Sequence, residues 1–367
     1  MLIIKDIIKI LKKNNINFFT GVPDSVLKSL SLSLSKLSKK NHVITANEGG
    51  AVSLAAGYHL ASKKIPVVYF QNSGLGNAIN PITSMVHKEI YAIPMILFIG
   101  WRGAPGIKDE IQHKIQGRIT LKQLELLNIK YSVFDKKKYS QQLGNLIKHA
   151  KKNSQPVAFI FKNKDLNKLK SKQLSNKKKY ISSIIRSDFI SKLAKQTKNS
   201  KIVATTGFTS RELFQIRKDN YSNNFRDFYM VGAMGHSSMV ALGYSLISKK
   251  KVICLDGDGA FLMHQGASSI SAKFANKNFR YILLNNECHE SVGGQPTSIN
   301  NINLKNFALS IGYKNYYLLN KNKSIDKTIK LFMNSKGPSF LEVKIKPGSL
   351  KDLIRIKNLY TIKKNFI

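Results

Sequence analysis

The sequence predicts an α/β protein of two related, doubly wound parallel-sheet domains. Three observations predict it. Short β-rich apolar runs alternate with helical patterns, one ten-residue segment recurs far along the chain, and each copy is followed by a strand and a glycine-containing turn. At 367 residues the chain has room for two domains, each able to bury its own core.

In chain order, the first element is a surface helix. Apolar residues return at Ile7, Ile8, Ile10 and Leu11, and charge interrupts the opening run, which argues against a signal peptide. Strands are expected at 66–70, 94–99, 157–161, 201–204, 252–255, 281–284 and 340–343, and another apolar strand should precede Glu48. The longest apolar run, near 92–101, is too short to span a bilayer. From 162 to 179 the sequence turns to Lys, Asn, Ser and Gln with little apolar periodicity. The expected division is therefore a first domain over 1–165, a linker over 166–182 and a second domain over 183–367.

The repeat is the strongest architectural signal. Residues 55–64 (AAGYHLASKK) match 241–250 (ALGYSLISKK) at a constant offset of 186, sharing Ala, Gly, Tyr, Leu, Ser and the closing Lys-Lys. The turns that follow are Gln71-Asn72-Ser73-Gly74 and Asp256-Gly257-Asp258-Gly259. The copies differ where chemistry is expected. Asp258 stands opposite Ser73, and Glu48 stands opposite Met234.

A formal charge of +40, from 60 Lys and Arg against 20 Asp and Glu, raises the question of nucleic acid. The basic residues are spread along the chain as Lys-Lys pairs between apolar segments, a pattern of solvated faces, so neither a specific nucleic-acid partner nor a membrane is expected. Cys254 and Cys288 lie beside strand patterns and make no disulfide framework, which fits a reducing, cytoplasmic compartment.

The run 252–260 reads as a buried strand, a tight turn and a helix from about Phe261. Gly257 and Gly259 allow a ligand to approach the backbone, the amides opening the helix near Ala260 can receive phosphate, and Asp258 offers a hard oxygen. One helix later, a strand over 281–284 ends in Asn285-Asn286. Neighbouring strand ends can thus bring a carboxylate and an amide oxygen to one octahedral magnesium ion, with phosphate and water completing it. Glu48, at the head of a small-residue helix, is placed to share a proton in an apolar setting.

These segments resemble the thiamin-diphosphate signature, which opens with Gly-Asp-Gly and closes with Asn-Asn about one βαβ unit later. The resemblance implies thiamin diphosphate and Mg2+ as cofactors, with the metal held by Asp258, by Asn285 or Asn286, and by a backbone carbonyl near Glu287 or Cys288. It implies that Glu48 protonates the cofactor's aminopyrimidine, that Gly232 receives its amino group on a carbonyl, and that Met234 wedges it into a bent shape. It further implies a pyrimidine-binding first domain, a diphosphate-binding second domain and a homodimer or higher homo-oligomer with sites at the subunit interface.

Across both domains the chain resembles phosphonopyruvate decarboxylases. The segments that carry this are Thr20-Gly21-Val22-Pro23-Asp24-Ser25, Gln71-Asn72-Ser73-Gly74-Leu75-Gly76-Asn77, Gly100-Trp101-Arg102-Gly103, Gln112-His113 and His289-Glu290-Ser291-Val292-Gly293-Gly294-Gln295-Pro296. Ile111 replaces an expected Pro, and the middle domain of larger relatives is missing. The implied reaction is decarboxylation of 3-phosphonopyruvate to phosphonoacetaldehyde. Gly74 falls in the cofactor-binding set. Arg102, with Asp24 and Ser25, is the candidate grip on substrate, since a guanidinium can hold two phosphonate oxygens. Asp24, His113 and His289 are candidates for proton transfer. Sulfopyruvate decarboxylase and a thiamin-dependent carboligase are the alternatives in the same class.

Overall fold

The computed structural model describes residues 2–166, 182–220 and 226–367, so the expected linker lies almost entirely outside the described residues. All seven apolar runs with expected bounds form strands, and so does the run before Glu48. In the first half the strands are β1 (Phe19–Gly21), β2 (His42–Ile44), β3 (Val67–Gln71), β4 (Ile96–Trp101), β5 (Lys130–Val133) and β6 (Val157–Lys162). Their helices are α1 (Leu2–Lys13), α2 (Lys28–Leu34), α3 (Glu48–Ser62), α4 (Leu75–Pro81), α5 (Lys114–Leu126) and α6 (Tyr139–Asn153). The second half has β7 (Lys201–Ala204), β8 (Phe228–Tyr229), β9 (Val252–Gly257), β10 (Phe279–Asn285), β11 (Asn315–Leu319) and β12 (Ser339–Lys344). Its helices are α7 (Arg186–Gln196), α8 (Phe208–Asn220), α9 (Ser237–Ile247), α10 (Asp258–Met263), α11 (Gly266–Phe274), α12 (Leu304–Ser310), α13 (Ile325–Asn334) and α14 (Leu359–Phe366).

Residue contacts divide the chain into one unit of Met1–Leu174 with Val292–Gln295 and another of Ser175–Ser291 with Pro296–Ile367. Each unit holds a six-stranded, all-parallel sheet. The first runs β2-β1-β3-β4-β6-β5 and the second β8-β7-β9-β10-β12-β11. Numbered within its own unit, each order is 2-1-3-4-6-5. The repeated segments occupy equivalent places, the helices α3 and α9 that feed the third strand.

Parallel sheets covered on both faces need strands that are apolar throughout, and the central ones are. Alternate residues serve opposite faces. Tyr69, Phe98 and Phe159 enter one core, whereas Phe70, Ile99 and Ile160 enter the other. The second unit divides likewise, with Ile253 and Ile282 on one side and Cys254 and Tyr281 on the other. The strands without sequence-predicted bounds are short or half-polar, such as β5 with its exposed Lys130 and β8 with two residues.

Two expectations need correction. The helix after β9 begins at Asp258, not near Phe261, because Gly257 is extended and the chain turns helical at once. Two short helices, α10 and α11, occupy the stretch between β9 and β10 where one was expected, since the backbone leaves the helical path at His264.

Candidate active site

In a parallel sheet, side chains beyond the carboxyl ends of the strands gather on one edge. In the first unit, Asp24 and Ser25 follow β1, Glu48 follows β2, Gly74 follows β3 and Arg102 follows β4. Asn47 caps α3, its side chain accepting the Gly50 N–H at 2.8 Å, and this fixes where Glu48 enters the helix. Glu48 is 6% exposed. Burial raises its pKa, and the Asn77 side chain donates to Oε2 at 2.7 Å. A Cβ on Gly74 would lie 2.4 Å from the Glu48 carboxyl, so the third-strand turn must pass without a side chain.

Asp24 is buried, and burial pushes its pKa up to about 6. Its Oδ2 accepts the Leu27 N–H at 2.8 Å, and its Oδ1 has no hydrogen-bond partner among the described residues. Such an atom is available to a ligand proton. Arg102 is less free than expected. Its Nε and Nη2 fork onto Asp109 at 2.7 and 2.5 Å, and Nη1 donates to Ser25 at 2.9 Å. Burial would push Asp109 up, yet the Arg102 fork and the Gly103 N–H hold it below the ordinary carboxylate range. His113 follows the same loop, and burial with the Arg102 charge lowers its pKa to about 4, leaving it neutral at pH 7.

In the second unit, Gly232 and Met234 follow β8, Asp258 follows β9, Asn285 ends β10 and Asn286 follows it. Asp258 is 4% exposed, with its pKa pushed up to about 6 by burial, and Oδ2 accepts the Thr297 hydroxyl at 2.7 Å. Asn285 gives its amide to Glu342 at 2.8 Å and takes the Glu287 N–H at 3.2 Å. The Glu287 N–H also reaches the Asp258 carboxylate. Glu287 itself is left-handed, φ 62°, and so is Ala233, φ 53°, between Gly232 and Met234. Ala260 is buried in α10. Gly259 is tightly enclosed, since a Cβ there would stand 3.1 Å from His289 Nδ1 and 3.3 Å from Met234 Cε. Gly257 has an open side, with nothing nearer than 4.0 Å.

This donor set suits a hard divalent cation. Among the described residues no three His, Cys, Asp or Glu side chains converge, so the Asp258 carboxylate would be joined by amide and backbone oxygens. Burial pushes the Cys288 thiol up to about 12, so that residue has only its carbonyl to offer. His289 is lowered by burial to about 4.

The structure thus groups Asp24, Ser25 and Arg102 with His113 in one unit, puts Glu48 against Gly74 in that unit, and gathers Met234, Gly257, Asp258, Gly259 and His289 in the other. Supporting roles of Asn77, Thr297 and Asp256 were not legible in sequence. Asp256 takes the Tyr281 hydroxyl at 2.7 Å and the Gly257 N–H at 3.0 Å, bracing the turn from behind.

Residues 1–126 match the family described as thiamine pyrophosphate enzyme, N-terminal TPP binding domain, and residues 205–343 match its C-terminal TPP binding domain counterpart. A phosphonopyruvate decarboxylase from Streptomyces viridochromogenes is 30% identical over 354 residues, covering 92% of this chain and 87% of that protein. The chain belongs to the phosphonopyruvate decarboxylase family. It is a thiamin-diphosphate-dependent decarboxylase, a carboxy-lyase. A sulfopyruvate decarboxylase from Methanosarcina acetivorans is 29% identical, with 94% of this chain and 91% of that protein covered. A sulfopyruvate decarboxylase subunit beta from Methanothermobacter thermautotrophicus is 32% identical over 45% of this chain and 83% of its own length. No helix among the described residues is long and apolar enough to cross a membrane.

Proposed function

We propose that the chain converts 3-phosphonopyruvate to phosphonoacetaldehyde and carbon dioxide, taking up one proton, with thiamin diphosphate and magnesium. The observation that carries this reading is the group at the ends of β1 and β4, where a guanidinium, a hydroxyl and a buried carboxyl converge in a family of 2-oxo acid decarboxylases. When bound, thiamin diphosphate supplies the electron sink for loss of carbon dioxide. Asp258 and an amide oxygen of Asn285 or Asn286, with a backbone carbonyl near Glu287 or Cys288, would hold the metal. Glu48, whose burial favours the protonated form, would share a proton with the aminopyrimidine, while the Gly232 carbonyl and the Met234 side chain would hold that ring. The Nη1 edge of Arg102 and Ser25 receive the substrate anion. Asp24, with an Oδ1 that has no hydrogen-bond partner among the described residues, would return a proton, and His113 and His289, neutral at pH 7, are the other candidates for proton transfer.

Sulfopyruvate is a second substrate reading. The Methanosarcina relative supports it, and so does the Asp109 carboxylate, which already balances the Arg102 charge and so favours a singly charged sulfonate. Carbon dioxide release from phosphonopyruvate, sulfopyruvate and pyruvate, each with thiamin diphosphate and magnesium, decides between them. Turnover of phosphonopyruvate is expected to be fastest, and release from pyruvate alone would overturn both.

The active assembly is a homodimer or larger, with each site completed by a second subunit. Leu54, Gly57 and Leu60 on α3 form an exposed stripe, and Val240, Gly243 and Leu246 on α9 repeat it at the 186-residue offset. A Cβ on either glycine would meet nothing within 4 Å among the described residues. A mid-helix glycine costs about 1 kcal/mol relative to Ala, so a reason outside the chain is supported. Sedimentation should show at least a dimer, and Gly243→Glu should drive it toward monomer. The two free cysteines support a reducing cytoplasm.

A further inference from the structure

The amide of Asn286 is not free to turn. Its Nδ2 donates to the Glu290 carboxylate at 2.9 Å, and its Oδ1 accepts the Cys288 N–H at 3.2 Å. Glu290 is itself held, one oxygen by the Arg186 guanidinium and the other by the Gly348 N–H. Arg186, 4% exposed at the start of α7, also lies 3.5 Å from Glu212 and 5.5 Å from the centre of the Phe208 ring. Glu212, buried on α8, takes the Leu350 N–H at 3.1 Å. Two carboxylates thus share one buried guanidinium, and together they tie down the chain at 348–350.

Buried ion networks of this kind are poor stabilisers, because desolvation offsets attraction and apolar replacements are often neutral or better. This network ends on an amide of the loop that follows β10, which suggests that its value is orientation. An amide turned the wrong way presents N–H groups, which repel a cation, where its oxygen should be.

We propose that Glu290, clamped by Arg186, is a positioning residue for the divalent cation. It keeps Asn286 turned with Nδ2 on the carboxylate, so that Oδ1, which takes the Cys288 N–H, has its second lone pair left to serve the cation, and its hold on Gly348 links the 348–350 segment to occupancy of the metal loop. This rests on the magnesium reading above, which makes the wild-type protein the first control.

The test is calorimetric titration of MgCl2 into the full-length protein with saturating thiamin diphosphate, alongside hydrogen exchange of the 348–350 amides. Glu290→Ala should weaken magnesium binding roughly 10–100-fold. Magnesium should slow exchange at 348–350 in the wild type and not in this variant. Glu290→Gln, which retains an acceptor oxygen for Nδ2, should recover most of the affinity. Unchanged affinity in a folded Glu290→Ala variant overturns the proposal. A loss in Glu290→Gln equal to that in Glu290→Ala also overturns it, by assigning the effect to buried charge. If Glu290→Ala does not fold, Arg186→Lys, which keeps the charge without the fork, should weaken binding in the same direction, and wild-type affinity there is again fatal. Failure of the wild type itself to bind magnesium with thiamin diphosphate takes down the magnesium reading and this one together.

Discussion

The two units follow one strand order, 2-1-3-4-6-5, yet they carry complementary chemistry at equivalent positions. After the third strand, the first unit has Ser73-Gly74, with no carboxylate and a glycine pressed against Glu48, whereas the second has Asp258-Gly259, with a buried carboxylate and a glycine pressed against His289 and Met234. At the 186-residue offset near the start of the repeated helix, one unit has an acid, Glu48, and the other a thioether, Met234. The difference teaches that the fold fixes where side chains emerge, and that a few substitutions at those exits decide, on the roles proposed above, whether a unit would offer a proton or a cation site.

That contrast can be broken most completely at Asp258. Asp258→Ala is expected to abolish magnesium-dependent binding of thiamin diphosphate, read by calorimetry, because the donor set holds no other carboxylate able to replace it. Glu48→Gln is the matching change in the first unit and should do the opposite, leaving cofactor binding near wild type while turnover falls roughly 10²–10⁴-fold. An exchange of these two phenotypes would mean that the roles of the units are reversed.

Asp24→Asn sharpens the contrast through pH. The folded carboxyl binds a proton up to about pH 6, against an ordinary 3.8 when unfolded, so the folded state holds more protons in that window. Stability from this group is complete below 3.8 and is lost as pH rises through 6. Asp24→Asn should therefore gain up to about 3 kcal/mol relative to wild type on going from pH 4 to pH 7 in urea unfolding. A constant difference across that range would show that Asp24 titrates normally. A smaller effect is expected from Gly74→Ala, where the added methyl must push into the Glu48 carboxyl. About 1–3 kcal/mol of destabilisation is expected, together with reduced turnover, whereas Gly257→Ala, which has room, should be nearly silent in stability.

Most of the fold was legible because buried parallel strands are written as continuous apolar runs, and because the offset of 186 linked Gly57 to Gly243 and Glu48 to Met234. The short strands escaped for the converse reason. β8 has two residues, and β5 contributes an exposed Lys130, so their pairing is decided by neighbours and not by local pattern. At the site, residue types at strand ends could be read, but their partners could not. Nothing in the spacing of Arg102 and Asp109 announced a bidentate fork, and Thr297 reaches Asp258 from 39 residues away. The start of α10 at Asp258 was missed because glycines on both sides suggested a longer turn.

The fork between Arg102 and Asp109 has a further consequence. If Arg102 is the proposed grip on substrate, a guanidinium that already has a carboxylate neighbour would align an incoming anion through its remaining edge without holding it at full strength. Such a balance would favour release of a charged product after the carbon–carbon bond has broken.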